Sequence, residues 1–124
     1  MLELRVADWA RSIDWYRAFT AQEPVLLDIT HQFALFRCGD AQIALKQGVP
    51  HIGSVLIYFQ VSDLEAWAAA CETHSILPTS PMQISDEGYR RLRFTDPDGY
   101  DVGLFEWIPP EKSPVPLSES YNSE

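Results

Sequence analysis

The sequence predicts an α+β protein made of two tandem βαβββ modules, and three observations predict it. A Val-x-Asp unit occurs twice, as Val6-Ala7-Asp8 and Val61-Ser62-Asp63, each time after a short apolar stretch and before a helix-like pattern. Each helical pattern is followed by three strand-like segments. The second set contains Asp96-Pro97-Asp98-Gly99, a turn in which Pro pre-sets φ and Gly supplies a positive φ.

The elements follow in order. Asp8 and Asp63 are N-cap residues, whose carboxylates accept from backbone N–H groups left without intrahelical partners. After Asp8, Trp9, Ile13 and Tyr16 fall on one helical face; after Asp63, Leu64, Trp67, Ala68 and Cys71 do the same. Strands are expected over 25–30, 32–38 and 41–47 in the first half, and over 76–84, 89–95 and 100–107 in the second. Pro78 and Pro81 lack the N–H that a central strand needs, so 76–84 is expected at a sheet edge. Residues 1–108 form one domain on this reading, module one being 1–53 and module two 54–108. The segment 109–124 is rich in Pro, Ser and charge and is expected as a tail or surface arm.

Composition excludes several classes. The net charge of −9 leaves no basic stripe to neutralise phosphates, which argues against nucleic acid. No apolar run is long enough for a bilayer, and Glu3 and Arg5 interrupt any leader pattern. A cytoplasmic location is therefore expected. Cys38 and Cys71 fit no zinc spacing and read as free thiols.

The duplicated module, the two Val-x-Asp helix starts, the Trp15-Tyr16 pair and Phe94-Thr95-Asp96-Pro97-Asp98-Gly99-Tyr100 together resemble the vicinal oxygen chelate superfamily. That group includes glyoxalase I, extradiol dioxygenases, fosfomycin-resistance enzymes and bleomycin-resistance proteins. The resemblance spans residues 1–107. It implies a curved mixed sheet around a cleft, with helices on the convex side. It also implies four positions where family enzymes hold a divalent metal, which fall here at Met1, Ala44, Leu56 and Gly103. None of these side chains is a usual ligand for such a metal, so no metal and no cofactor is expected. His51, in a Gly/Pro loop, and His74, near a helix end, read as surface residues. His31, at a turn, stays a candidate ligand contact.

Strand alternation shows what shares a face with those four positions. Glu3 and Arg5 accompany Met1; Gln42 and Lys46 accompany Ala44; Tyr58 and Gln60 accompany Leu56; Asp101, Phe105 and Trp107 accompany Gly103. The opposite face is almost purely aliphatic and suits packing by the helices. The first face mixes rings, amides and charges, as a binding site does. Resemblance to the metal-free bleomycin-resistance branch adds Phe33, from Phe33-Ala34 through Asp40, and Tyr89, shortly before the DPDG turn. Gly103 is expected to clear space for a ligand against the backbone.

Trp9, Trp15, Tyr16 and Trp67 are expected in core or dimer packing. Arg90, Arg91 and Arg93 are expected on a solvated strand face or in intersubunit salt bridges rather than at an anion site. The leading expectation is non-catalytic binding of a small aromatic, cationic molecule by a homodimer, with Glu3 and Asp101 available to cationic groups. The alternatives are a metal-independent enzyme using Glu3, Asp101 or Tyr58 as acid or base, and a subunit with a vestigial cleft.

Overall fold

The structure, a computed structural model, describes residues 1–53 and 55–109. The elements run β1 (Leu2–Val6), α1 (Trp9–Thr20), β2 (Leu26–Asp28), β3 (Phe33–Cys38), β4 (Ala41–Gln47), β5 (Leu56–Gln60), α2 (Leu64–Thr73), β6 (Gln83–Ile84), β7 (Tyr89–Thr95) and β8 (Asp101–Trp107). The strands form two four-stranded sheets, ordered β1-β4-β3-β2 and β5-β8-β7-β6. The two orders are the same pattern shifted by one module, so the weak sequence repeat is a full topological repeat. The first sheet is mixed: β1 runs parallel to β4, whereas β2–β3 and β3–β4 are antiparallel.

Both helices start as their caps dictate. Asp8 Oδ1 accepts from Arg11 N and Asp63 Oδ1 from Ala66 N, each at 3.1 Å. In the first module α1 buries Trp9, Ile13, Tyr16 and Phe19. Trp9 Nε1 donates to the Leu45 carbonyl at 3.2 Å, and the Tyr16 ring lies 6.3 Å from that of Phe36. Leu4, Val6, Ala34, Phe36, Ile43 and Leu45 complete this core. In the second module Ile57, Val61, Val102 and Leu104 of the aliphatic face are buried as expected while Val55 and Phe59 are half-buried, and Leu92 and Phe94 join the core with Leu64 and Cys71 from α2. Both cysteines are free thiols, and burial pushes each up in pKa.

The expected strand over 76–84 is shorter than its pattern. Only Gln83 and Ile84, beyond both prolines, pair with β7, and they do so at the edge of their sheet. The tail expected over 109–124 lies, from 110 on, outside the described residues.

The compact units are not the two contiguous modules. Residues Thr95–Asp101, which carry the DPDG turn, belong with Met1–Leu56, while Ile57–Phe94 belong with β8 from Val102. The hydrogen bonds give the reason. Asp96 Oδ2 accepts from the Tyr16 hydroxyl at 2.8 Å, and its Oδ1 accepts from Asp98 N and Tyr100 N at 2.9 Å. Asp98 accepts from Ala7 N at 3.0 Å and from the Ser12 hydroxyl at 3.3 Å. The Tyr100 hydroxyl donates to the Arg5 carbonyl at 3.0 Å and accepts from His51 N at 2.9 Å. Gly99 takes φ +100°, the positive φ expected of it. The turn is thus a clip on the start of α1.

Among the described residues, no helix is long and apolar enough to cross a membrane.

Candidate functional site

Strand β8 lies between β5 and β7 and carries the centre of the candidate site. Its even positions, Val102 and Leu104, are buried in the core, so its odd positions face the other way. On that face four aromatic rings meet edge to face. Tyr58 and Phe105 have centroids 6.4 Å apart, Tyr89 and Phe105 5.4 Å, Tyr89 and Trp107 5.4 Å, and Phe105 and Trp107 5.7 Å. Interplanar angles of 64° to 90° are those the ring quadrupoles favour. Trp107 keeps 52% of its surface exposed, which is unusual for the largest side chain in a cluster. An exposed apolar patch of this kind marks an interaction surface more often than a packing accident.

Gly103 has a role, but not the expected one. A Cβ built there would fall well inside van der Waals contact of Tyr58 Cε1 and Cδ1, and 3.0 Å from the Leu92 carbonyl oxygen. The room that the missing side chain leaves is therefore filled by the Tyr58 ring rather than kept open for a ligand. The packing has a cost: Tyr58 Oη is buried without a hydrogen-bond partner among the described residues. Such a hydroxyl costs roughly 1–3 kcal/mol relative to a satisfied one.

The arginine cluster divides. Arg90, whose parity places it on the α2 side, pairs with Glu106 and with Glu65, the latter at 2.8 Å. Glu106 also accepts from Leu64 N at 3.2 Å, at the start of α2. Hydrogen bonding to Arg90 holds the Glu106 carboxyl below the usual carboxylate range, and the same contact raises Arg90. This is an internal ion pair, not the solvated face or intersubunit bridge expected for it. Arg91, of opposite parity, lies with its guanidinium 5.9 Å from the Tyr58 ring centroid. Its Nε and Nη2 donate to the Gln83 amide oxygen at 3.2 and 3.1 Å. Neither Arg91 nor Gln83 was identified from sequence as a site residue. The signal was available, because Tyr89, Arg91 and Arg93 alternate with Arg90 and Leu92.

The first module presents a different face. The register aligns Glu3 with Ala44, Arg5 with Lys46, Lys46 with Phe33, and Gln42 with Arg37. The six residues expected here, Glu3, Arg5, Phe33, Gln42, Ala44 and Lys46, therefore do share one face. Three of them are engaged within the module. Glu3 pairs with Arg5 at 2.9 Å, and Lys46 donates to the His31 carbonyl. The His31 ring pairs with Asp28 at 2.8 Å, and the hydrogen bond from the His31 backbone N–H, followed by that from its ring, lowers the Asp28 pKa. Ala44 is fully buried. Of the remaining expected residues, Leu56 and Gln60 are exposed on β5, and Asp101 is half-buried at the start of β8.

The four positions where the resemblance expects metal ligands do not fit a divalent ion. Met1 and Leu56 are exposed thioether and alkyl groups, Ala44 offers a methyl, and Gly103 lies under the Tyr58 ring. Among the described residues, no three His, Cys, Asp or Glu side chains converge.

Comparison with known proteins agrees with the fold. The family model described as Glyoxalase/Bleomycin resistance protein/Dioxygenase superfamily matches residues 1–104. A glyoxalase/bleomycin resistance protein from Catenulispora acidiphila is 20% identical, with TM-score 0.72, over 87% of this chain and 96% of its own. A glyoxalase/bleomycin resistance protein/dioxygenase from Nocardioides is 18% identical, with TM-score 0.71, over 94% and 86%. A lactoylglutathione lyase from Agrobacterium tumefaciens is 21% identical, with TM-score 0.66, over 86% and 92%. At these identities the likeness shows the fold alone. No curated protein matches significantly in sequence.

Proposed function

The chain belongs to the glyoxalase/bleomycin resistance protein/dioxygenase superfamily, and from that premise we propose that it binds a small planar aromatic molecule without transforming it. The observation that carries the reading is the cluster of Tyr58, Tyr89, Phe105 and Trp107 on one sheet face. Rings set edge to face leave π faces and edges for a further ring, and each such pair contributes about 0.5–1.5 kcal/mol beyond area burial. The absence of donors at the four family positions argues against the metal-dependent chemistry of the superfamily's enzymes. Sequestration of a planar antibiotic, as the bleomycin-resistance branch of the family name suggests, is the biological role this binding would serve.

The protein works, on this reading, as a homodimer. Support comes from the sheet edges, where Leu26 and Leu27 of β2, with Val25 and Ile29 beside them, are largely exposed, as is Ile84 of β6. The free cysteines suit a reducing, cytoplasmic compartment.

Calorimetry with a panel of planar aromatic natural products, on wild type and Trp107→Ala, tests the proposal. Micromolar binding that Trp107→Ala weakens about tenfold is expected. Binding of no panel member below millimolar would remove the reading. One observation favours a second reading: the unpartnered Tyr58 hydroxyl is a proton donor held ready for a substrate. Turnover abolished in Tyr58→Phe would turn the binder into a metal-independent enzyme.

A further inference from the structure

We infer that the aromatic face selects an anionic ligand, an aromatic carboxylate or phenolate, and that Tyr58 and Arg91 form its polar anchor. The inference rests on the proposed aromatic binding and reverses the sign of ligand charge suggested by Glu3 and Asp101.

Two independent facts point the same way. Tyr58 Oη is buried with no partner among the described residues, although its ring is held firmly against Gly103. A phenol so placed is an O–H donor in need of an acceptor, and buried polar groups are rarely left so without a reason. Arg91 lies over the same ring, yet its hydrogen bonds go to the neutral amide of Gln83. Arg5, Arg17 and Arg90 each have a carboxylate within 2.9 Å, whereas Arg91 has none among the described residues. Arg91 is thus a cation, over the ring that bears the unpartnered hydroxyl, that no carboxylate of the described residues neutralises. A carboxylate or phenolate supplies acceptor lone pairs for both the hydroxyl and the guanidinium, while its ring rests on Phe105 and Trp107. An ammonium offers neither donor an acceptor.

Gln83 then has a positioning role. Its amide holds two of the guanidinium's donor nitrogens on the strand side. The side chain is thereby fixed before binding, which lowers the entropic cost of capturing an anion.

Three matched probes test the inference: 2-naphthoate, 2-naphthylmethylammonium and neutral 2-naphthylmethanol, titrated against tryptophan fluorescence. Wild type is expected to prefer naphthoate over the ammonium by about tenfold or more, and Arg91→Gln to abolish that preference. Tyr58→Phe is expected to weaken naphthoate about three- to tenfold while melting no lower than wild type, because it removes a hydroxyl that has no partner. A purely structural Tyr58 would lower the melting temperature and leave the preference among the three probes unchanged. Should Arg91→Gln not fold, salt decides in the wild type. Raising NaCl from about 50 to about 500 mM should weaken naphthoate and spare the alcohol. Equal binding of all three probes, or preference for the ammonium, overturns the anionic anchor and leaves the aromatic reading standing. Binding of none removes both.

Discussion

The two modules share one strand order and differ in what they place on the face their helices leave uncovered. In the first, Glu3, Arg5, Gln42 and Lys46 share a face with a buried alanine, Glu3 and Arg5 pair with each other, and Lys46 engages the neighbouring turn. In the second, four rings share a face with a glycine, and among the described residues the Tyr58 hydroxyl has no hydrogen-bond partner and the Arg91 guanidinium has a neutral amide but no carboxylate. The difference teaches that one backbone topology can be closed on one copy and poised on the other. The distinction lies in whether polar groups find partners within the chain.

The largest expected effect tests how far the two modules are separate at all. Asp96 sits in the second half of the sequence, yet its carboxylate takes the Tyr16 hydroxyl and two backbone N–H groups in the first compact unit. Asp96→Ala leaves all three donors without this acceptor and should cost about 3 kcal/mol in chemical denaturation. A cost below about 0.5 kcal/mol would show that the turn is not a clip.

Next come the topologically equivalent strands β4 and β8. Gly103→Ala must displace the Tyr58 ring and should cost about 2 kcal/mol by overpacking, together with most of the ligand affinity. Ala44→Gly, the reverse exchange in the first module, removes only a buried methyl and should cost about 1 kcal/mol with no effect on binding. Comparable loss of binding in both would erase the contrast. Smaller again is the difference between rings. Phe105→Ala should weaken a planar probe about tenfold, whereas Phe33→Ala should change it less than about twofold, both read by calorimetry.

Acid titration gives opposite signs in the two regions. Arg90 depresses Glu106, so the folded pKa lies below the unfolded one. That pair stabilises above the ordinary carboxylate pKa and is lost as pH falls through the folded value. Asp96 is raised, chiefly by burial, so its ionisation withdraws stability as pH rises through the raised value. Urea midpoints against pH should lose acid sensitivity in Glu106→Gln. The decline with rising pH should vanish in Asp96→Asn. The smallest effect belongs to the exposed Glu3–Arg5 pair: Glu3→Gln should move stability by less than about 0.5 kcal/mol and leave binding unchanged.

Much of this was legible in the sequence because the underlying rules are local. The caps at Asp8 and Asp63, the helical faces and the strand alternation each depend on a few neighbouring residues, and the structure has them as read. The grouping of Tyr58, Tyr89, Phe105 and Trp107 also follows from parity alone. Their neighbour Arg91 was missed because three arginines in four residues read as one patch, although alternation sends Arg90 and Arg91 to opposite faces. The fate of Gly103 was not readable for a different reason. Whether a vacated volume is open or filled depends on which side chain the adjacent strand presents at that height, and register across β5 and β8 is not written in either strand by itself. The attachment of DPDG to α1 was hidden for the same reason, since its contacts join residues some 80 to 95 positions apart.

That separation has a consequence for synthesis. Tyr16, Ser12 and Ala7 emerge early, but the carboxylates that satisfy them arrive only with residues 96 and 98. At roughly 5–20 residues per second the nascent first module waits several seconds with the start of its helix unclipped. Its final closure is therefore timed by translation as far as residues 96 and 98, and a ribosome stalled before Asp96 would display a first module that has its strands but not its latch.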